Sequence, residues 1–149
     1  MLSALEHLLP STIHPMVVHF TIAVAYLAGI TGLVGAVRQN SFWSRAFLYL
    51  LLLSGLATAA AAVAGVVSES YVSHIPQQVA PLLHAHKEDG LWTGICEIIA
   101  TGLQLALGIR RGRVSWLAAA SAILACVFVT MAGHLGGTMV YQYGLGVKA

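Results

Sequence analysis

The sequence predicts an all-α integral membrane protein, a four-helix bundle with both termini on the outer side of the membrane. Two observations carry the fold class. Of the 149 residues, 58% are apolar and 8% charged, with a mean hydropathy of +0.84, whereas a soluble domain is about 45–50% apolar and 25% charged. The apolar residues also fall into four tracts, each close to the roughly 20 residues that a spanning helix needs. The orientation comes from a third observation. The short connections Arg38 to Arg45 and Arg110 to Arg113 hold five of the seven basic residues and no acid, which places both loops in the cytoplasm by the positive-inside rule.

Residues 1–149 are read as a single domain of four helices. The first runs from about Pro15 to Val37, with Pro15 at the first helical position and His14 as its N-cap. The second runs from about Phe42 to Val67, and Pro76 and Pro81 mark the loop after it. The third spans about Leu83 to Ile109. The fourth spans about Val114 to Thr138, with Gly133, Gly136 and Gly137 softening its end. The first ten residues carry Glu6, His7 and Pro10 but no Lys or Arg, so they are read as mature protein rather than a signal peptide.

Composition also excludes several function classes. A net charge of +2 without a long basic tract argues against nucleic acid as a partner. Cys96 and Cys126 lie inside apolar segments without the spacing of a zinc knuckle or of covalent c-type heme attachment, so they are read as buried thiols. No flavin, nicotinamide or Fe–S motif is present. Membrane lipid is the one partner that the composition itself requires.

The chemistry is concentrated in histidines. With the orientation above, His14, His19, His74, His84, His86 and His134 all lie at or just below the outer surface. An ionisable residue in a spanning segment costs about 2.5–3.5 kcal/mol on insertion scales, so such residues face the bundle interior and mark function. In the third helix His86, Thr93, Glu97 and Gln104 follow at intervals that align them on one inward stripe. His19, Tyr26 and Leu33 align in the first helix, and Thr130 and His134 in the fourth. In the second, Gly55, Thr58, Ala62, Gly65 and Glu69 form a small-residue groove. The two halves read as related hairpins, with His19 matched to His86 and Glu69 to His134.

Imidazoles from facing helices can grip a heme iron from both sides. His19, His86 and His134 are the preferred ligands, with His14 nearby, Gly136 and Gly137 giving a macrocycle room, and Tyr141 or Trp92 at its edge. Three readings compete: a b-type heme electron carrier; a non-heme metal site of His84, Glu88 and Glu69; and a cofactor-free protein that binds quinone or relays protons towards Glu97. For Glu97, halfway down its helix, a structural hydrogen bond to Thr58 or Gln104 is expected.

Two stretches resemble a known family: His14-Pro15-Met16-Val17-Val18-His19-Phe20, and Gly133-His134-Leu135-Gly136-Gly137 followed by Val140-Tyr141 and Gly144-Leu145-Gly146-Val147. They look like the bacterial membrane proteins grouped as the domain of unknown function numbered 2231. The resemblance implies a four-helix module of the bacterial inner membrane, in some relatives joined to or encoded beside c-type cytochrome domains. It carries over to His14, His19 and His134; where relatives often have Asp at the end of the second helix, this chain has Glu69. The resulting expectation is a heme b subunit passing electrons between quinol and a periplasmic acceptor such as a c-type cytochrome, alone or as a homo-oligomer. Enzymatic turnover would require that partner.

Overall fold

A computed structural model describes residue 10 and residues 12–146. The expectations for the first nine residues and for Val147 lie outside the described residues. Four helices account for most of the chain: α1 (Ile13–Arg38), α2 (Ser41–Ser70), α3 (Ala80–Leu103) and α4 (Trp116–Tyr141). Beyond Leu103, α3 continues through a π turn, Gln104–Gly108, and a 3-10 turn, Ile109–Arg111. All four helices are long and apolar enough to cross a membrane. Among the described residues there is no strand.

The helix ends depart from expectation by a few residues, for local reasons. α1 begins at Ile13, so His14 lies inside its first turn and Thr12 holds the N-cap position. Pro15 is still tolerated there, because the first-turn N–H groups have no intrahelical acceptor. The Asn40 side chain caps α2 by accepting the Trp43 N–H at 3.1 Å, and Ser115 caps α4 through the Ala118 N–H at 3.4 Å. α2 runs on to Ser70, and α4 continues through its three glycines to Tyr141.

α1 packs on α2 and α4, and α3 packs on the same two, so α1 and α3 face each other across the diagonal. The closest pairings are α1 with α2 and α3 with α4, which makes the bundle two hairpins. Their interfaces are built from small residues. Ala28, Ala36, Ala100, Ala118, Ala119 and Ala122 are buried, with Phe47 and Leu51 among them. A Cβ added to Gly29 would come 2.6 Å from Cys126 Sγ, and one on Gly32 would come 2.7 Å from the Phe47 ring. Large apolar residues such as Ile30, Leu56 and Ile98 face outward. This is the arrangement of helices in lipid, where close backbone approach rather than apolar burial drives association.

The hairpins repeat one another in their buried positions. Thr21, Ala25, Ala28, Gly32 and Ala36 of α1 answer at constant spacing to Thr93, Glu97, Ala100, Gln104 and Gly108 of the third span. Phe47, Leu48, Leu51 and Ala61 of α2 answer likewise to Ala118, Ala119, Ala122 and Ala132 of α4. Each first helix also ends on a left-handed residue, Gln39 at φ 49° and Gly112 at φ 60°. In this register His86 corresponds to His14, not to His19.

The two basic connections meet at one end, tied together by Gln104. Its amide donates to Ser44 Oγ and to Arg113 O, both at 3.0 Å, and accepts the Ser115 N–H at 2.9 Å. Ser44 Oγ in turn donates to Arg113 O at 2.8 Å, and Gln39 Nε2 donates to Val114 O at 3.2 Å. Gly108 leaves the space that the Gln104 amide fills. The π turn begins at this residue, in keeping with the local unwinding that inserted polar groups cause.

Candidate histidine site

At the end opposite the basic connections, each hairpin presents one half-buried histidine fixed in the same way. His14, in the first turn of α1, donates through Nδ1 to the Ala61 carbonyl of α2 at 2.9 Å. His86, in the first half of α3, donates through Nδ1 to the Ala132 carbonyl of α4 at 2.8 Å. One turn past each carbonyl stands a glycine under the ring. A Cβ on Gly65 would lie 3.3 Å from the His14 ring, and one on Gly136 would lie 3.4 Å from the His86 ring. A methyl would just touch the ring at Gly136 and crowd it slightly at Gly65, so the small residue lets each imidazole lie close against its helix.

The two rings meet across the bundle, with centroids 5.7 Å apart and planes at 88°. A carbonyl can only accept, so Nδ1 carries the proton on both rings, and in the neutral imidazole Nε2 then keeps its lone pair. No described residue hydrogen-bonds either Nε2. Such an Nδ1–H to carbonyl bond is also what orients histidines that ligate metals. Chemically, the site offers two preset nitrogen donors, one from each hairpin.

The other sequence candidates lie elsewhere. His19 is exposed and donates to Pro15 O of its own helix at 2.6 Å. The stripe it shares with Tyr26 and Leu33 faces outward, where the Tyr26 hydroxyl meets Thr130 Oγ1 at 2.6 Å on the α1–α4 seam. His134 is exposed as well and lines a shallow outer hollow with Gly133, Gly137, Thr138, Tyr141 and Gln142. The expected trio of His19, His86 and His134 is therefore not brought together, because the small-residue stripes of α1 and α4 turn inward and carry their exposed neighbours out. Gly136 does give a ring room, that of His86, while Gly137 approaches only Tyr141. Trp92 stacks on Phe128, with ring centroids 6.1 Å apart.

The His84, Glu88 and Glu69 alternative is also divided. His84 Nδ1 lies 3.6 Å from Glu88 on an exposed face, whereas Glu69 grips Lys87 with both oxygens, at 2.7 and 2.8 Å. His74 is exposed in the α2–α3 connection. Among the described residues, no group of three or more His, Cys, Asp or Glu side chains is placed to hold a metal ion.

Of the expected inward stripe on the third span, Thr93, Glu97 and Gln104 are buried as read, and His86 heads it. Glu97 has Thr58 within hydrogen-bond reach, as expected, but not Gln104. Ser54 Oγ donates to Glu97 Oε1, and Gln104 serves the basic end. Of the small-residue groove on α2, Gly65 meets the His14 ring, while Ala62 is exposed. The His14–His86 pairing was missed, yet the sequence carried a trace of it. A threonine follows each histidine by seven residues, Thr21 and Thr93, and both are buried on the histidine's own stripe.

No curated protein of described function and no solved structure matches the chain. One family model, described as a predicted membrane protein (DUF2231), matches residues 10–149.

Proposed function

From the premise that the chain belongs to the predicted membrane protein family DUF2231, we propose that it is a membrane-embedded electron-transfer subunit holding a b-type heme between His14 and His86. The observation that carries this reading is the opposed pair of imidazoles, each anchored through Nδ1 to the other helix of its hairpin. With metal–imidazole nitrogen bonds of about 2 Å, two rings on one iron have centroids roughly 6 Å apart, close to the 5.7 Å here. A bundle core is where facing helices build such sites. The heme supplies one-electron chemistry when bound.

The residues of the chain orient and confine. The Ala61 and Ala132 carbonyls fix the tautomers and increase the electron density on Nε2, Gly65 and Gly136 admit the rings, and the Lys87–Glu69 pair sits one residue along α3 from His86. His19 and His134, exposed on outer faces, are placed for headgroups or a quinone rather than for the iron. Orientation follows from the basic end. Arg38, Arg45, Arg110, Arg111 and Arg113 face the cytoplasm by the positive-inside rule. The histidine pair then lies towards the periplasmic side of a bacterial inner membrane, between quinol in the bilayer and a periplasmic acceptor such as a c-type cytochrome.

The test is the visible spectrum of the purified protein, produced with heme in supply, before and after dithionite. A Soret band with a reduced b-type α-band is expected. His14→Ala and His86→Ala abolish it, while His19→Ala and His134→Ala leave it in place. A colourless protein refutes the reading, as does full heme retention after both of the first two changes. A colourless protein with stoichiometric metal would instead assign the pair to a non-heme ion.

A further inference from the structure

A second polar site lies deeper in the bundle and is independent of the heme reading. Glu97 is only 2% exposed, in the interior of α3 and eleven residues from His86, about 16 Å along the helix. It receives one hydrogen bond, from Ser54 Oγ of α2 to Oε1. Its other oxygen, Oε2, is buried with no hydrogen-bond partner. Thr58, one turn along α2 from Ser54, lies within hydrogen-bond reach of the same carboxyl, and its buried Oγ1 has no other partner.

Among the described residues, no cation compensates this acid. α1 and α2 bury no ionisable side chain, and α4 buries only Cys126. On α3 itself the buried ionisable neighbours are Cys96 and, two turns away, Asp89. Lys87 is engaged with Glu69, and the arginines stand at the basic end. An ionised carboxylate with a single hydroxyl donor is the costly form in such a place. A neutral carboxyl is the cheaper one, and it converts Oε2 into a donor that needs an acceptor. The Thr58 hydroxyl, within hydrogen-bond reach of the carboxyl, is that acceptor. Gly94 lets the two helices approach here: a Cβ on it would meet Thr58 Cγ2 at 3.6 Å.

We infer that Glu97, Ser54 and Thr58 form a proton-binding site within the bundle, in which the Glu97 carboxyl is held protonated, accepting from Ser54 at one oxygen and donating to Thr58 from the other. The proton on Oε2 thus stays within the site, held between the two helices by one hydrogen bond at each carboxyl oxygen.

Infrared spectroscopy of the full-length protein in lipid at neutral pH tests this. A carboxylic acid C=O band is expected that disappears in Glu97→Gln, moves to lower frequency on exchange into D2O, and moves to higher frequency in Thr58→Val as the acid loses its acceptor. Size-exclusion elution and far-ultraviolet circular dichroism check that the variants fold. If Glu97→Gln does not fold, the Thr58→Val shift alone decides. The inference is overturned if no acid band is present, if D2O leaves the band unmoved, or if Thr58→Val does not shift it. It is also overturned if Na+ in place of K+ at constant pH removes the band, which would make this a metal-cation site.

Discussion

Replacing Gln104 by Leu tests how the two hairpins are joined. Gln104 is fully buried, and its amide makes three hydrogen bonds of 3.0 Å or less, to Ser44 Oγ, to Arg113 O and from the Ser115 N–H. Leucine fills nearly the same volume, so the loss is polar rather than steric. Hydrogen bonds between membrane helices average about 0.6 kcal/mol, so the three contribute about 2 kcal/mol. Arg113 O keeps its bond from Ser44 Oγ. The Ser115 N–H does not keep an acceptor, and a stranded buried donor costs about 1–3 kcal/mol. The expected destabilisation is about 3–5 kcal/mol, a large share of a typical total stability. Unfolding in mixed detergent followed by circular dichroism measures it. A Gln104→Leu protein within about 0.5 kcal/mol of the parent would refute the view that this amide fastens the basic end. The histidine pair lies at the opposite end, so the visible spectrum of the folded variant is expected to be unchanged.

Two further predictions concern packing and topology. Gly32→Ala places a Cβ 2.7 Å from the buried Phe47 ring and is expected to cost about 1–3 kcal/mol. Gly55→Ala meets nothing within 4 Å and is expected to stabilise α2 by about 0.5–1 kcal/mol; the same unfolding assay, finding equal effects at the two sites, would contradict the packing described. Cysteines introduced at His74 and at Arg111 are expected to react with a membrane-impermeant thiol reagent from opposite sides of intact cells, His74 from outside. Labelling of both from one side would reverse the orientation argued from the arginines.

The parts of the fold legible in the sequence were those written locally. Four apolar lengths and two arginine-bearing turns give four spans, and the structure has them. The stripe from Thr93 through Glu97 to Gln104 was also readable, because polar residues in an otherwise apolar helix must turn inward wherever the partners are. α1 was harder. His19, Tyr26 and Leu33 make as regular a stripe as His14, Thr21, Ala25 and Ala28, and helical periodicity alone does not rank them. The bundle buries the second, because glycine and alanine let α2 and α4 approach where tyrosine and leucine would not. Glu97 was placed in the interior correctly and near Thr58, yet its closest partner is Ser54, a residue whose position on α2 no local signal ties to α3.

Sequence by itself determined that this chain lies in a membrane, how many times its helices can cross, and which end gathers the positive charge. Those properties depend on the solvent, and a lipid core selects length and apolarity directly. Only the tertiary structure decided that His14 rather than His19 faces His86, and that the acid of α3 meets Ser54 of α2. In lipid the outside of a bundle is as apolar as its inside, so hydrophobicity does not say how a helix is rotated about its own axis. The close fit of small residues sets that rotation, and with it which polar side chains meet.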